Sequence, residues 1–225
     1  MITPRELAGI LDHTLLRPSA TGEEVERLCS EAVAYEFRTV CVNPVLVDRA
    51  VRSLEGTAVG VCSVVGIPFG THLATTKAHE AREAVKDGAT EIDMVIGIGA
   101  LREGDDQAVL DDVRAVVEAA AGRAVKVILE TCYLIQEEKV RACILALEGG
   151  ASFVKTSTGY GPAGATVEDV ALMRRTVGEH CGVKAAGGIR TLADALRMIR
   201  AGANRLGTSG SVAIFKELEG EGQRG

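Results

Sequence analysis

The sequence predicts an α/β fold, a single closed (β/α)8 barrel of the TIM-barrel type, and three observations lead to it. Short runs rich in β-branched residues alternate with amphipathic helical patterns along the whole chain. Most of these runs are apolar throughout, as strands covered on both faces are. The 225 residues hold eight strand-then-helix units, a length slightly below the ~250 residues typical of such a barrel. A doubly wound open sheet, the competing architecture, more often has about five or six strands.

Eight segments are the predicted strands. They are ILDHT (10–14), TVCV (39–42), AVGVCSVV (58–65), EIDMVI (91–96), VKVILE (125–130), SFVKT (152–156), GVKAA (182–186) and NRLGT (204–208). Three of the connections into these strands share a Gly-Ala turn, in DGATEIDMV, GGASFVKTS and AGANRLGTS. Glycine suits the left-handed position that closes a helix, so the turns indicate a weak internal repeat.

The helices between the strands are predicted by the spacing of apolar residues and by start signals. Val109, Val113 and Val116 recur at helical intervals, as do Leu192, Ala195 and Ile199. Three threonines precede an acidic residue at the spacing of an N-terminal cap, namely Thr21 with Glu24, Thr166 with Asp169 and Thr191 with Asp194. No linker interrupts the pattern, so residues 1–218 are predicted to form one barrel domain. The glycine-rich, charged tail 219–225 is predicted to be disordered.

Composition excludes several classes of function. A net charge of −6 argues against nucleic-acid binding, which needs a concentrated basic face. Apolar runs fall short of the ~18 residues of a membrane span, and the N-terminus has no signal-peptide core. The six cysteines occur singly, as reduced thiols of a cytoplasmic protein do. No spacing of Cys and His suits a metal, so we expect no metal site. Barrels of this size commonly associate, and we expect a homo-oligomer, either dimer or tetramer.

Charged residues near the carboxyl ends of the predicted strands indicate where function lies, because barrel enzymes place their active sites there. Lys155 and Lys184 end neighbouring strands, so their ammonium groups are expected to converge and to make each other harder to protonate. A neutral amine is what carbonyl attack and Schiff-base formation require. Asp93, on the fourth strand, is either a salt-bridge partner of one lysine or a proton-transfer partner beside Lys184.

Three further side chains have simpler interpretations. Asp12 could orient the lysines or a substrate hydroxyl, or could bond to nearby backbone. Cys41 is interpreted as a packing residue, because nothing near it in sequence would lower its pKa. Lys126 is interpreted as a structural lysine that reaches the inactive rim of the barrel from the start of its strand.

Two glycine-rich segments follow the last two strands. AAGGIR (185–190) and LGTSGS (206–211) occupy the two loops in which barrel enzymes most often bind phosphate through backbone N–H groups. Gly159, in the turn after Lys155, could add its amide to the same pocket.

The motifs together resemble the deoxyribose-phosphate aldolases, a family of class I, Schiff-base-forming aldolases. The resemblance extends from LDHTLL (11–16) through EIDMVI, KVILET, FVKTSTG and KAAGGIRT to RLGTSGS. It implies the reversible cleavage of 2-deoxy-D-ribose 5-phosphate to D-glyceraldehyde 3-phosphate and acetaldehyde, without a cofactor. Two alternatives remain: another lysine-dependent barrel aldolase acting on a phosphorylated sugar, and a barrel that binds a phosphorylated metabolite without catalysis.

The resemblance also implies residue roles. The Schiff-base lysine falls on Lys155 and the proton-relay pair on Asp93 and Lys184. Supporting positions fall on Asp12, Thr156 and Thr158. The phosphate-contacting positions are Gly159, Gly187, Gly188, Arg190, Gly207 and Ser209. The chain departs from some relatives at Tyr160, where they have lysine, and at Gly210, where they have a second serine. The GY pair could close the site as a wall.

Overall fold

The computed structural model describes residues 2–222. Within that range eight parallel strands form a closed barrel, each paired with the next along the chain and the last paired with the first. They are β1 (Leu11–Leu15), β2 (Thr39–Val42), β3 (Gly60–Val65), β4 (Glu91–Val95), β5 (Ala124–Ile128), β6 (Phe153–Lys155), β7 (Gly182–Ala186) and β8 (Arg205–Thr208). Every predicted strand is present, with ends within two residues of those predicted. The predicted (β/α)8 barrel is confirmed.

Helices connect the strands and cover the outside of the barrel. They are α1 (Pro4–Ala8), α2 (Gly22–Ala34), α3 (Val47–Ser53), α4 (Ala74–Lys86), α5 (Ile98–Glu103), α6 (Asp106–Ala119), α7 (Gln136–Glu148), α8 (Val167–Val177), α9 (Leu192–Arg200) and α10 (Ser211–Gly222). Short 3-10 helices lie after β2 and after β5, at Pro44–Leu46 and Thr131–Tyr133.

The predicted helix starts and turns are confirmed. Thr21, Thr166 and Thr191 are N-cap residues whose hydroxyls accept a hydrogen bond from the backbone N–H three residues later. In α2 and α9 the acidic residue at that position bonds back to the cap, completing a capping box. The glycines of the three Gly-Ala turns all have positive φ, between 89° and 113°.

The hydrophobic core lies between the barrel and its helices. Successive strand residues point to opposite faces, and the outward ones are apolar, such as Val40, Ile92, Val127 and Val183. The inward positions differ from the bulky apolar layers that usually fill such barrels. Here ionisable side chains fill much of the interior, and they are buried.

The C-terminal region extends further in ordered form than the predicted domain boundary. Helix α10 continues to Gly222, beyond residue 218, and the rest of the predicted tail, residues 223–225, lies outside the described residues. None of the helices between residues 2 and 222 combines the length and the apolar character that crossing a bilayer requires.

Candidate active site

Two lysines on neighbouring strands meet inside the barrel. Lys155 is the last residue of β6 and is the register partner of Lys184 on β7. Both side chains are buried. Their Nζ atoms donate hydrogen bonds to one oxygen, Oδ2 of Asp93, at 2.7 Å and 2.8 Å. The structure therefore brings Lys155, Asp93 and Lys184 into one cluster, at the expected end of the barrel.

Asp93 is the centre of this cluster. Its second oxygen, Oδ1, accepts a hydrogen bond from Lys126 Nζ at 2.6 Å. Burial would raise the pKa of Asp93, but the surrounding positive charges, first of all that of Lys126, hold it well below its usual value. Asp93 is thus a buried, ionised carboxylate that is shared by three amines.

Asp12, on β1, holds the far side of Lys184. Its Oδ2 accepts a hydrogen bond from Lys184 Nζ, and its Oδ1 accepts one from Arg205 Nη1 at 2.8 Å. Burial would raise the pKa of Asp12, but the charges of Lys184, Lys126 and Arg205 outweigh it and lower that pKa. Asp12 was expected to orient the lysines or a substrate hydroxyl, or to bond to nearby backbone. These contacts support the orientation of a lysine.

Lys126 does not lie where its sequence position suggested. We expected it to reach the inactive rim, and this interpretation is wrong, because the side chain is fully buried in the barrel. Lys126 is the register partner of Asp93, and both point inward. Its Nζ lies 2.6 Å from Asp93 Oδ1 and 2.8 Å from Glu91 Oε2. The side chain stays inside the barrel, where the carboxylates of Asp93 and Glu91 compensate the ammonium charge.

Arg205 and Glu91 complete the cluster of buried charged side chains. The guanidinium of Arg205 bonds to both oxygens of Glu91, at 3.0 Å and 3.2 Å, as well as to Asp12. Burial would lower the pKa of Lys184, but Asp12 and Asp93 outweigh it and raise that pKa above its ordinary value. The pKa of Lys126 is likewise raised, mainly by Asp93, against the effect of burial. Both lysines are therefore cations in the resting protein.

Counting charges in this cluster singles out one amine. Three buried carboxylates, Asp12, Glu91 and Asp93, face four buried basic groups, Lys126, Lys155, Lys184 and Arg205. Arg38, at 4.0 Å from Glu91 Oε1, is exposed, so solvent screens its charge. Buried charge is costly unless it is compensated, and the cluster is neutral when one basic group is unprotonated. A guanidinium does not deprotonate in proteins, and carboxylates hold the protons of Lys126 and Lys184. Charge balance therefore leaves Lys155, the lysine in contact with Asp93 alone, as the candidate for the unprotonated group.

The two supporting threonines fix the segment that follows Lys155. Thr156 Oγ1 donates to the carbonyl of Ala186 and accepts from its N–H, both at 3.0 Å, which ties β6 to β7. Thr158 donates both its N–H and its hydroxyl to the carboxylate of Glu130. Glu130 is buried and has φ +52°, an uncommon backbone conformation for a side chain of this kind. The loop that follows the lysine is thus anchored to β7 and to Glu130.

A cavity of about 420 Å³ opens above the cluster. Lys155 lies in its wall, as do all the predicted phosphate-contacting positions: Gly159, Gly187, Gly188, Arg190, Gly207 and Ser209. Asp93, Lys184 and Asp12 lie beneath the cavity and are fully buried. Lys155 therefore joins the charged interior to the space that a ligand can enter.

Gly207 lies against the side chain of Lys184, which a larger residue would displace. A Cβ at this position would lie 2.9 Å from Cε of Lys184, closer than two carbons can approach without displacement. The absence of a side chain in β8 thus leaves room for the lysine on β7.

Tyr160 forms one wall of the cavity. Its hydroxyl donates a hydrogen bond to the carbonyl of Leu16, which follows β1, so the loop after β6 is joined to the loop after β1. Leu16 and Arg17 line the same cavity. The suggestion that the GY pair closes the site agrees with this contact.

One group of side chains has the composition of a metal-ligand set. Sγ of Cys41, Sγ of Cys62 and a carboxylate oxygen of Asp93 lie within 4.8 Å of one another. The ammonium of Lys126 already bonds to two of these residues, at 3.2 Å from Cys62 Sγ and 2.6 Å from Asp93 Oδ1. A metal cation at this position would meet a positive charge, so the group does not fit one.

Sequence reasoning missed four contributors to the site. For Lys126, Glu91 and Arg205 the signal was strand parity, since each shares the inward face of its strand with a residue at the active end. Arg17 could not be found, because it lies in a loop and reaches the cavity only through the fold.

The fold and the site define the class of the protein as a (β/α)8-barrel enzyme with a buried lysine pair at the carboxyl end of its strands. The sequence pattern of the DeoC/LacD family aldolases matches residues 7–217. The deoxyribose-phosphate aldolase of Carboxydothermus hydrogenoformans is 54% identical over 222 residues, which cover 97% of each chain. That of Thermoanaerobacter sp. strain X514 is 56% identical over 214 residues, covering 94% of this chain and 96% of the relative.

Solved structures agree with this similarity. The deoxyribose phosphate aldolase of Aeropyrum pernix, whose structure is described as tetrameric, superimposes with a TM-score of 0.91 at 34% identity, covering 96% of this chain and 92% of that one. The chain belongs to the DeoC/LacD family of aldolases.

Proposed function

We propose that this protein reversibly cleaves 2-deoxy-D-ribose 5-phosphate to D-glyceraldehyde 3-phosphate and acetaldehyde, with Lys155 as the Schiff-base nucleophile and Asp93 and Lys184 as the proton relay. The observation that carries the proposal is the imbalance of four buried basic groups against three carboxylates, with Lys155 the member that lines the cavity. The shared name of close relatives supplies the substrate.

The first step is attack of the Lys155 amine on the aldehyde carbon of the open-chain sugar. Loss of water from the adduct gives a protonated imine, which withdraws electrons from the neighbouring carbon. The bond between C2 and C3 then breaks, and its electron pair forms an enamine on the lysine. The hydroxyl on C3 loses its proton as that carbon becomes the aldehyde of glyceraldehyde 3-phosphate.

Proton transfer at C3 falls to Asp93 and Lys184. The two are in direct contact at 2.8 Å, so a proton can pass between carboxylate, ammonium and a water that they hold. The same pair returns a proton to the enamine carbon, and hydrolysis of the resulting imine releases acetaldehyde and frees Lys155. Burial of the relay strengthens its electrostatic effect on the charges that develop during cleavage.

The phosphate group is bound by the far wall of the cavity. Gly187 and Gly188 adopt positive φ, which turns successive backbone N–H groups toward an anion. Helix α10 begins at Ser211, just after Ser209, and its amino terminus favours negative charge. Arg190 adds a side-chain cation. Binding the phosphate away from the reacting carbons fixes their position over Lys155.

The proposal includes a cytoplasmic location and assembly into a homo-oligomer. The six cysteines are free thiols, as expected of an enzyme in the reducing cytoplasm. The tetramer described for the Aeropyrum pernix relative supports a homo-oligomer.

Borohydride trapping tests the proposal. The protein is incubated with acetaldehyde and sodium borohydride, and modified lysines are located by peptide mapping. We expect one two-carbon adduct, on Lys155, and none in Lys155→Met. Dihydroxyacetone phosphate in place of acetaldehyde should leave the lysine unmodified, which separates this activity from that of an aldolase that uses a ketose phosphate. An unmodified Lys155, or an adduct on Lys184, would refute the assignment.

A further inference from the structure

Two cysteines lie side by side under the catalytic cluster. Cys41 on β2 and Cys62 on β3 are register partners in adjacent parallel strands, and both are fully buried. Paired positions of neighbouring strands lie ~4.8 Å apart, inside the range of ~4.4–6.8 Å between the Cα atoms of a disulfide. Their Sγ atoms lie within 4.8 Å of each other and of a carboxylate oxygen of Asp93. The backbone spacing thus permits a bond between the two sulfurs.

The two thiols differ in chemical character. Cys62 Sγ donates to Asp93 Oδ1 at 3.1 Å and accepts from Lys126 Nζ at 3.2 Å. Burial raises the pKa of Cys62 well above its ordinary value. A hydrogen bond with Cys62, helped by the charge of Lys184, outweighs burial and the charge of Asp93 and lowers the pKa of Cys41. The interpretation of Cys41 as a packing residue considered only its sequence neighbours, whereas its partner comes from the next strand.

We propose that Cys41 and Cys62 form a reversible disulfide when the protein meets hydrogen peroxide, and that this bond switches the active site off. The thiolate of Cys41 attacks one peroxide oxygen, the O–O bond breaks, and the leaving hydroxide takes up a proton to become water. Cys62 then attacks the sulfenic sulfur of Cys41 and displaces hydroxide, which leaves as a second water with the proton from Cys62. Two thiols are oxidised and one peroxide is reduced.

The bond would disturb the residues above it. Moving the Cys62 sulfur toward Cys41 removes its hydrogen bond to Oδ1 of the catalytic carboxylate and its contact with Lys126 Nζ, so Oδ1 keeps only its hydrogen bond from Lys126. This consequence rests on the proposed function, whereas formation of the disulfide does not. Hydrogen peroxide is a neutral molecule no larger than acetaldehyde, so it can enter the cavity that Lys155 lines. Both cysteines are fully buried beyond that cavity, so peroxide must pass between side chains of the cluster to reach them.

The experiment follows crosslinking and activity together. The full chain is treated with graded hydrogen peroxide, remaining thiols are alkylated, and peptides are mapped without reduction. We expect a peptide pair joined through Cys41 and Cys62, with the mass of two hydrogens lost. It should appear at the rate at which aldolase activity falls, by about tenfold or more, and dithiothreitol should reverse both changes. Peroxide should not lower the activity of Cys41→Ser below the level that this variant has before treatment. Cys29→Ser is the control: this buried cysteine lies between α2 and α3, and the variant should lose activity under peroxide as wild type does.

Several results would overturn the inference. Oxygen added to Cys41 with no crosslinked pair would do so, as would a crosslink that leaves activity unchanged, or equal loss of activity in Cys41→Ser and wild type. Peptide mapping needs no aldolase assay, so the disulfide is tested even if the untreated protein fails to cleave deoxyribose phosphate. In that case the proposed function fails, and the crosslink is judged separately.

Discussion

Lys126 Nζ lies 2.6 Å from Asp93 Oδ1, on the opposite side of the carboxylate from the two lysines that share Oδ2. Asp93 is therefore fixed from below by a lysine that lies outside the ligand cavity. Lys126 is also one of the four buried basic groups of the cluster, which outnumber its three carboxylates by one. In the proposed mechanism Lys126 acts through Asp93 and positions the relay.

Replacing Lys126 tests this role. In Lys126→Met the three carboxylates face three basic groups, so Lys155 can keep its proton, and Asp93 loses one of its anchors. We expect kcat at neutral pH to fall by more than about tenfold, since a positioned proton-transfer group contributes ~10²-fold or more. Activity should recover in part as pH rises. A pH profile of kcat checks both expectations.

Lys77 provides the matched control. It is also fully buried, and its Nζ lies 2.6 Å from Asp112 Oδ2, between α4 and α6 and outside the barrel interior. Breaking either buried pair should cost about 3–5 kcal/mol of stability, but Lys77→Met should retain the wild-type pH profile. Equal effects of the two substitutions on that profile would show that Lys126 is merely structural.

The two lysines that share Asp93 should differ in their contribution to folding. Lys155→Met removes a neutral amine with one hydrogen bond, so the free energy of unfolding should change by about 1 kcal/mol or less. Lys184→Met deprives Asp12 and Asp93 of a charged donor and should cost about 1.5–3 kcal/mol for each such bond lost. Urea unfolding at neutral pH measures both. A larger loss in Lys155→Met than in Lys184→Met would contradict the charge assignment.

The proposed phosphate-binding side of the cavity predicts that substitution of Arg190 changes substrate preference. Arg190 lies in the cavity wall, and a hydrogen bond to a charged group contributes about 1.5–3 kcal/mol. Arg190→Leu should lower kcat/KM for 2-deoxyribose 5-phosphate by about tenfold and leave that for unphosphorylated 2-deoxyribose unchanged. Arg197, nearby on α9, pairs with Asp194 at 2.5 Å, and Arg197→Leu is the control. If Arg190→Leu affected both sugars equally, the residue would not bind phosphate.

Acid stability should depend on His13. Its Nε2 lies 2.8 Å from Glu31 Oε2, yet burial outweighs that contact and lowers the pKa of His13 below 6.5. The unfolded chain therefore binds a proton at a higher pH than the folded protein does. Stability that is fully present above pH 6.5 should be lost as pH falls through that value toward the folded pKa.

His13→Gln should flatten this dependence, and the free energy of unfolding measured from neutral to mildly acidic pH will show it. His72 is exposed, and His72→Gln should keep the wild-type slope. An unchanged slope in His13→Gln would mean that another group causes the loss.

The fold was accessible from sequence because each strand carries its own signal. Apolar runs mark the strands, and Gly-Ala turns and threonine caps mark several of the helix ends. Each of these signals depends only on residues that are close in sequence. Convergence of Lys155 and Lys184 was also predictable, since parallel strands bring their carboxyl ends to one face.

What escaped prediction depends on contacts between strands. The position of Lys126 is set by its register with Asp93, and that of Cys41 by its register with Cys62. Neither register can be seen in a single segment. The proposed charge state of Lys155 depends on residues on several strands. The sequence indicated that Lys155 lies close to a second amine, but it did not show that the cluster holds more basic groups than carboxylates.

The protonation of Lys155 in the resting protein tests the central claim most directly. Nitrogen-15 labelling of lysine side chains, with Lys155 assigned by comparison with Lys155→Met, allows NMR to distinguish an amine with two hydrogens from an ammonium with three. At neutral pH we expect two hydrogens on Lys155 and three on both Lys126 and Lys184. An ammonium at Lys155, with the neutral amine on either of the other two lysines, would contradict the account.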